Sequence, residues 1–347
     1  MKYLKYLFVF IPISFLLEFM HMAPLWIFIT ACLSIIPLAG LMGEATEEIA
    51  IYSGPKVGGL LNATFGNATE LIISIFALKA GLFEVVKASL AGAVIGNILL
   101  VMGASMLVGG AKFKIQTFNK KAVGISSSML LFAVIGLSIP AIFTHTVRPD
   151  LLNTQYEGLS IAVAVIMFAI YILSIFFSFF THKDVFGTDH EEVSEGKWSF
   201  NKAIGVLVLS TVFIAVESEF LVGSIESVTE TFGLSQLFVG IIIIAIIGNA
   251  AEHSTAIIMA AKNKMDIAVE ISIGSSLQII LFVLPVLVFI SLFFTPMSIV
   301  FNDFELFAMF FAAIIANQVA SDGESNWLEG VQLIAVYVII AISFFFI

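Results

Sequence analysis

Gly66-Asn67-Ala68-Thr69-Glu70 and Gly248-Asn249-Ala250-Ala251-Glu252 are the two stretches whose reading decides the fold of this chain. Each sets a carboxylate in apolar surroundings: residues 71–78 read LIISIFAL after the first, and residues 239–247 read VGIIIIAII before the second. A second correspondence lies downstream. Gly96-Asn97-Ile98-Leu99-Leu100 follows the first motif and Leu277-Gln278-Ile279-Ile280-Leu281 follows the second; Glu70 to Asn97 is 27 residues, Glu252 to Gln278 is 26. One GNAxE alone would say little. Two of them, each trailed by an amide at nearly the same distance, predict a chain of two related halves.

The rest of the chain is 60% hydrophobic and only 12% charged over 347 residues, with a mean hydropathy of +1.10. Globular domains are about 45–50% apolar and roughly 25% charged, so this chain cannot clothe a water-facing surface and belongs in a lipid bilayer. A spanning helix needs about 20 apolar residues. Eleven candidate spans fall at 4–20, 23–43, 57–78, 85–109, 121–143, 156–181, 201–223, 233–260, 267–294, 303–320 and 327–347, with charge clustered between them. The net charge of −10 argues against nucleic acid, which calls for a basic face. The single cysteine, Cys32, excludes an internal disulfide and a thiolate metal site. Lys2 and Lys5 precede an apolar run, as in a signal peptide, but Glu18, His21 and Pro24 follow it in place of a small-x-small cleavage site. The first segment is therefore read as a retained helix.

Cationic residues tend to stay on the cytoplasmic side. With the N-terminus inside, twelve of the fifteen Lys and Arg fall in inner connections and only Lys79, Lys87 and Arg148 in outer ones. The expectation is an all-α, eleven-helix membrane protein with the N-terminus cytoplasmic and the C-terminus outside. The acidic connection at 182–200 separates one N-terminal helix (1–22) and five spans (23–181) from five more (201–347). Five is odd, so the halves enter the membrane in opposite senses: inverted repeats, which place an ion site at the midplane between them.

A carboxylate in hydrocarbon costs several kcal/mol, so Glu70 and Glu252 are candidate functional groups by default. Asn67 and Asn249 stand three residues before them, on the same face of an uninterrupted helix. Gly66 and Gly248 permit either close helix packing or local unwinding that frees carbonyls. Asn97, Gln278 and Ser275 add oxygens from the following spans; Ser276 reads as an interhelical hydrogen-bonding residue. Hard oxygen donors suit Ca2+, which takes six to eight of them, better than Zn2+ or Mg2+. The same two carboxylates, held close together and out of water, carry protons when no cation is bound. His253 is a second candidate proton carrier, or a neutral buried histidine bonded to a neighbour. Glu44 and Glu47, at the end of the second span, and Glu217 and Glu219, within the seventh, are candidates for a cation access path or gate.

GNATELI at 66–72, GNAAEH at 248–253, GNILLVMG at 96–103 and GSSLQIILFVLP at 274–285 give the chain a resemblance to the Ca2+/H+ antiporter family of the Ca2+/cation antiporter superfamily. KFKIQTFN at 112–119 and SDGESNWLEG at 321–330 carry it further, so that it runs over essentially the whole chain. The resemblance implies eleven helices, an ion site built by the two GNAxE helices and the helix after each, and sliding of the second and seventh spans. It implies Glu70 and Glu252 as central ligands with Asn97, Ser275 and Gln278 beside them, Ca2+ and H+ as transported ions, and no cofactor. Without the long N-terminal extension of plant members, the chain reads as a prokaryotic form that extrudes Ca2+ across the cell membrane; a homo-oligomer is compatible with the sequence. The alternatives are a Na+/Ca2+ exchanger, whose hydroxyl-rich motifs are replaced here by Asn and Ala, an intramembrane enzyme, and a cation channel.

Overall fold

Long runs of Leu, Ile, Val and Phe, punctuated by glycine and polar residues, fold as helices throughout the computed structural model, which describes residues 4–146, 152–182, 185, 196–319 and 321–347. α1 (Phe10–Phe19) is entered through a 3-10 turn, Leu4–Val9. α2 (Pro24–Phe65) and α3 (Ala68–Lys79) follow. α4 (Phe83–Phe113) is continuous through a π-turn at Gly96–Val101. α5 (Lys120–Thr146) and α6 (Leu152–Phe176) complete the first half. The second half runs α7 (Phe200–Phe232), α8 (Gln236–Gly248), α9 (Ala250–Ala261), α10 (Met265–Ser291), α11 (Asp303–Val319) and α12 (Trp327–Phe345).

Among the described residues, seven helical stretches are long and apolar enough to cross a membrane: Pro24–Ser53, Phe83–Phe113, Lys120–Thr144, Glu157–Thr181, Phe200–Phe232, Met265–Ser291 and Trp327–Phe345. α8 and α9 together, bent by 59° at Asn249, make an eighth. The chain is a multi-pass helical membrane protein. The spans expected at 4–20, 57–78 and 303–320 correspond to shorter helices: ten residues in α1, twelve in α3 and seventeen in α11.

Three expectations need correction. The second span was expected to end at residue 43, yet it continues through the charged stretch to Ser53, and the chain then folds back so that Gly58 packs against Ala50. Glu44-Ala45-Thr46-Glu47-Glu48-Ile49-Ala50 is rich in good helix formers, so charge here marks a helix face and not a loop. The fold is also not wholly helical: β1 (Ile115–Thr117) and β2 (Glu324–Asn326) pair antiparallel, with Gln116 opposite Ser325. Finally, the Asn and Glu of each motif do not share one uninterrupted helix, because the helix breaks at the Asn. Most of the 182–200 connection lies outside the described residues.

Without a hydrophobic drive between helices in lipid, close approach depends on small residues. α4 meets α8 where a side chain at Gly92 would collide with the Ile241 backbone, and one at Gly240 would sit 2.6 Å from Ala88 Cβ. α4 meets α12 through Gly103, Gly110 and Gly330 in the same way. One large core unites these helices with residues 28–35 of α2 and residues 221–228 of α7. Farther along the same two helices, Leu38, Met42 and Ile214 form a separate small core with Ala68.

Gly92→Val should therefore cost about 3 kcal/mol or more, at the upper end of overpacking penalties, and lower the thermal midpoint of the detergent-purified protein by several degrees or abolish recovery. Gly205→Ala on exposed α7, where an added methyl meets nothing within 4 Å, should leave the midpoint unchanged or raised.

Candidate ion-binding site

Both glutamates sit in the first turn of a helix that starts at a break. Asn67 (φ −101°, ψ 26°) precedes α3 and Asn249 (φ −92°, ψ 4°) precedes α9, each in the sparsely populated region between helix and turn. Glu70 and Glu252 are the third residues of their helices, with the helix N-terminus beside them. The positive end of the helix dipole favours a carboxylate there.

The breaks face each other in a crossed arrangement. A methyl on Gly248 would lie 3.2 Å from Glu70 Oε1, and one on Gly66 would lie 3.4 Å from both Glu252 Oε1 and Gln278 Oε1. Each carboxylate thus rests on the bare glycine of the other motif. Asn67 Nδ2 donates to Gln278 Oε1 at 2.6 Å. The Ser275 hydroxyl donates to Glu252 Oε2 and lies 3.4 Å from Asn67 Oδ1. Asn249 Nδ2 donates to the Ala245 carbonyl of its own chain segment at 2.9 Å.

The helices after each motif are also matched. Asn97 lies inside the α4 π-turn, and Gln278 immediately precedes the π-turn at Ile279–Val283 of α10. π-turns recur at functional sites because the extra residue redirects side chains. The structure brings together Glu70, Glu252, Asn67, Gln278, Ser275, Gly66 and Gly248. Asn97 instead meets His253, whose Nε2 is 3.0 Å from Asn97 Oδ1. Consecutive helical residues point about 100° apart, so Glu252 reaches α10 while His253 reaches α4. Ser276 bonds the Ser272 carbonyl of its own helix, not a neighbouring one.

Three buried polar atoms here have no hydrogen-bond partner among the described residues: Glu70 Oε2, Asn249 Oδ1 and Asn97 Nδ2. Leaving such atoms unsatisfied is costly. Two of the three are oxygens, so the cluster has acceptor capacity that a cation or added protons would satisfy. Among the described residues no three His, Cys, Asp or Glu side chains converge as for a resident metal. The donor set is two carboxylates with amides and a hydroxyl.

Among the described residues, no hydrogen bond joins the other candidate acids to this cluster. Glu217 is fully buried on α7 and accepts a 2.6 Å bond from Ser14 of α1. Glu219 and Glu47 are exposed and Glu44 is partly exposed. The neighbouring Glu48 is buried and accepts from the backbone N–H groups of Lys197 and Trp198, tying α2 to the approach to α7. Sequence reasoning missed Glu305, a buried carboxylate at the start of α11 that caps the Asn302 N–H at 2.8 Å. Its place beside Asp303, at a span edge, disguised it as solvated.

The sequence matches the sodium/calcium exchanger protein family over two stretches, residues 23–180 and 202–346. The chain belongs to that family. It is 49% identical over 341 residues to the Ca(2+)/H(+) antiporter ChaA of Bacillus subtilis, spanning 96% of each chain. It is 46% identical over 356 residues to a Ca(2+)/H(+) antiporter of Aphanothece halophytica, spanning 98% of this chain and 95% of that one. A crystal structure of the Ca2+/H+ antiporter protein YfkE superposes with a TM-score of 0.87 at 45% identity, each chain being covered completely. These relatives place the protein on the Ca2+/H+ antiporter branch of the superfamily.

If the crossed seating governs the site, Gly248→Ala should leave the fold intact and push the Glu70 carboxylate. Ca2+ affinity, read by equilibrium binding of radiolabelled Ca2+ to the purified protein, should then fall on the order of tenfold, equivalent to about 1.4 kcal/mol.

Proposed function

We propose that the protein exchanges Ca2+ for protons across its membrane by alternating access, with one shared site that holds either the cation or protons. The observation that carries this reading is the crossed seating of Glu70 on Gly248 and Glu252 on Gly66, where two carboxylates meet at matched helix breaks. Two negative charges balance one Ca2+, and the set of hard oxygens is the kind this ion takes. The relatives named above carry Ca2+/H+ antiporter in their names, which supports the same ion pair here.

In this reading Glu70 and Glu252 are both ligands and proton carriers, and Asn249, Asn67, Gln278 and Ser275 supply or orient further oxygens. Asn97 takes part through His253, whose ring N–H holds its carbonyl oxygen. Backbone carbonyls freed at the two breaks complete the shell, as at other unwound membrane helices. No cofactor is needed beyond the transported ions. The layout is one N-terminal helix and two inverted five-helix repeats, eleven spans in all, with the N-terminus cytoplasmic. Support comes from the matched breaks and π-turns, from the lysine distribution, and from a family match that divides near residues 180 and 202.

The same layout assigns a conformational state. On the cytoplasmic side of the site, Asn62 is exposed, and Phe65, Gly66 and Ala251 to Thr255 are partly exposed. On the other side, Thr69, Glu70, Ile247, Gly248 and Asn249 are buried. The separate small core of α2 and α7 lies on the open side. The state is thus open to the cytoplasm, where Ca2+ to be extruded would bind.

In proteoliposomes an imposed pH gradient should drive uptake of radiolabelled Ca2+, while a Na+ gradient at equal pH should not. Glu70→Gln and Glu252→Gln should each abolish it; unchanged transport in either variant would remove the shared site. Lowering the pH on the Ca2+-binding side should raise the Ca2+ concentration for half-maximal uptake, because every bound proton removes a ligand charge.

A further inference from the structure

Away from the ion site, a groove of about 1150 Å3 opens between α5 and α6. Small residues on α5 make it: Gly124, Ser128, Ala133 and Gly136 line one wall, and nothing lies within 4 Å of where a Gly124 side chain would begin. Ile166 and Ile170 on α6 form much of the other wall and are left 59% and 41% exposed. The lining continues along α5 from Lys120 to Ile139, about 28 Å of helix rise, close to the roughly 30 Å of the hydrocarbon core. The volume exceeds the top of the usual range for small-molecule pockets, about 1,000 Å3.

One end of this groove is polar. Lys120 and Lys121, the first residues of α5, are exposed at its mouth. Among the described residues neither makes an ion pair. Of the described acids on adjoining segments, Asp266 accepts the Asn119 N–H and Asp322 accepts the Glu324 N–H. The apolar trough therefore ends in two cations that have no ion-pair partner among the described residues.

We infer that this groove is a binding site for an anionic phospholipid of the cytoplasmic leaflet, its acyl chain lying along Gly124 to Gly136 and its headgroup on Lys120 and Lys121. The assignment of leaflet rests on the orientation proposed above. The occupant follows from charge complementarity: basic pockets between membrane helices on the cytoplasmic side attract anionic headgroups, and an apolar trough facing lipid is filled by an acyl chain. A zwitterionic lipid would satisfy the trough and leave the lysines unmatched.

The test uses the full-length protein equilibrated with dioleoyl phosphatidylglycerol and dioleoyl phosphatidylcholine in equal amounts, with retained lipid read by native mass spectrometry. The wild-type protein should retain phosphatidylglycerol in preference. The double variant Lys120→Gln, Lys121→Gln should lose that preference on the order of tenfold or more. Gly124→Leu, which fills open space and improves helix propensity, should lose retained lipid of either kind. Equal retention in all three proteins overturns the site. So does a wild-type oligomer that carries no lipid and that Gly124→Leu dissociates, since a second copy of the chain would then fill the groove. Ca2+/H+ exchange measured on the same preparations separates the two readings. Exchange without lipid preference removes only the lipid site, and lipid preference without exchange removes only the transport reading.

Discussion

A carboxylate can remain in the middle of a membrane only if something is seated against it, and this protein meets that constraint twice with one device. Each central glutamate rests on the glycine of the opposite motif. For the two to do so at once, both helices must break at the same place in their motif, and the breaks must face each other. The bend between α8 and α9, the start of α3 at Ala68 and the π-turns beside Asn97 and Gln278 are all conditions for that seating. The glycine contacts of α4 with α8 and α12 hold the surrounding helices close enough for it to persist.

The central pair, its amide neighbours and the membrane class were legible in the sequence because the signals were local. GNAxE twice in apolar runs, with Asn97 and Gln278 at nearly equal spacing, needed no knowledge of packing. Connections were less legible. Glu44 to Glu48 read as the end of a span because charge and span boundary usually coincide, but helix propensity carried α2 through them and Glu48 found backbone donors in residues 197 and 198. The ribbon of Ile115–Thr117 with Glu324–Asn326 joins segments of three residues each, too short for any alternation pattern to register. Partner choice at the site was also hidden: that His253 takes Asn97, and Ser275 takes Glu252, follows from the azimuth of each helix after the break.

The core is divided in a way that bears on transport. Most helices share one apolar core, but part of α2 and part of α7 pack mainly on each other, around Met42 and Ile214. Interiors packed this densely shift between discrete arrangements and do not deform continuously. A small separate core beside the open face gives α2 and α7 a unit that can shift while the glycine-mediated contacts of α4, α8 and α12 stay in place. The same two helices carry Glu48 and Glu217, each anchored by hydrogen bonds at a different end of the unit.

The crossed seating also sets a schedule for biogenesis. Glu70 and its seat Gly248 are 178 residues apart. At a synthesis rate of about 5–20 residues per second, the second partner emerges roughly 10–40 seconds after the first. Throughout that interval Glu70 has neither its glycine seat nor a neighbouring carboxylate. The nascent first half must wait with an isolated acid at membrane depth, and the least costly way to wait is with that acid protonated. In the proposed exchange, the proton that Glu70 releases when a cation binds is thus one it already needs in order to be inserted.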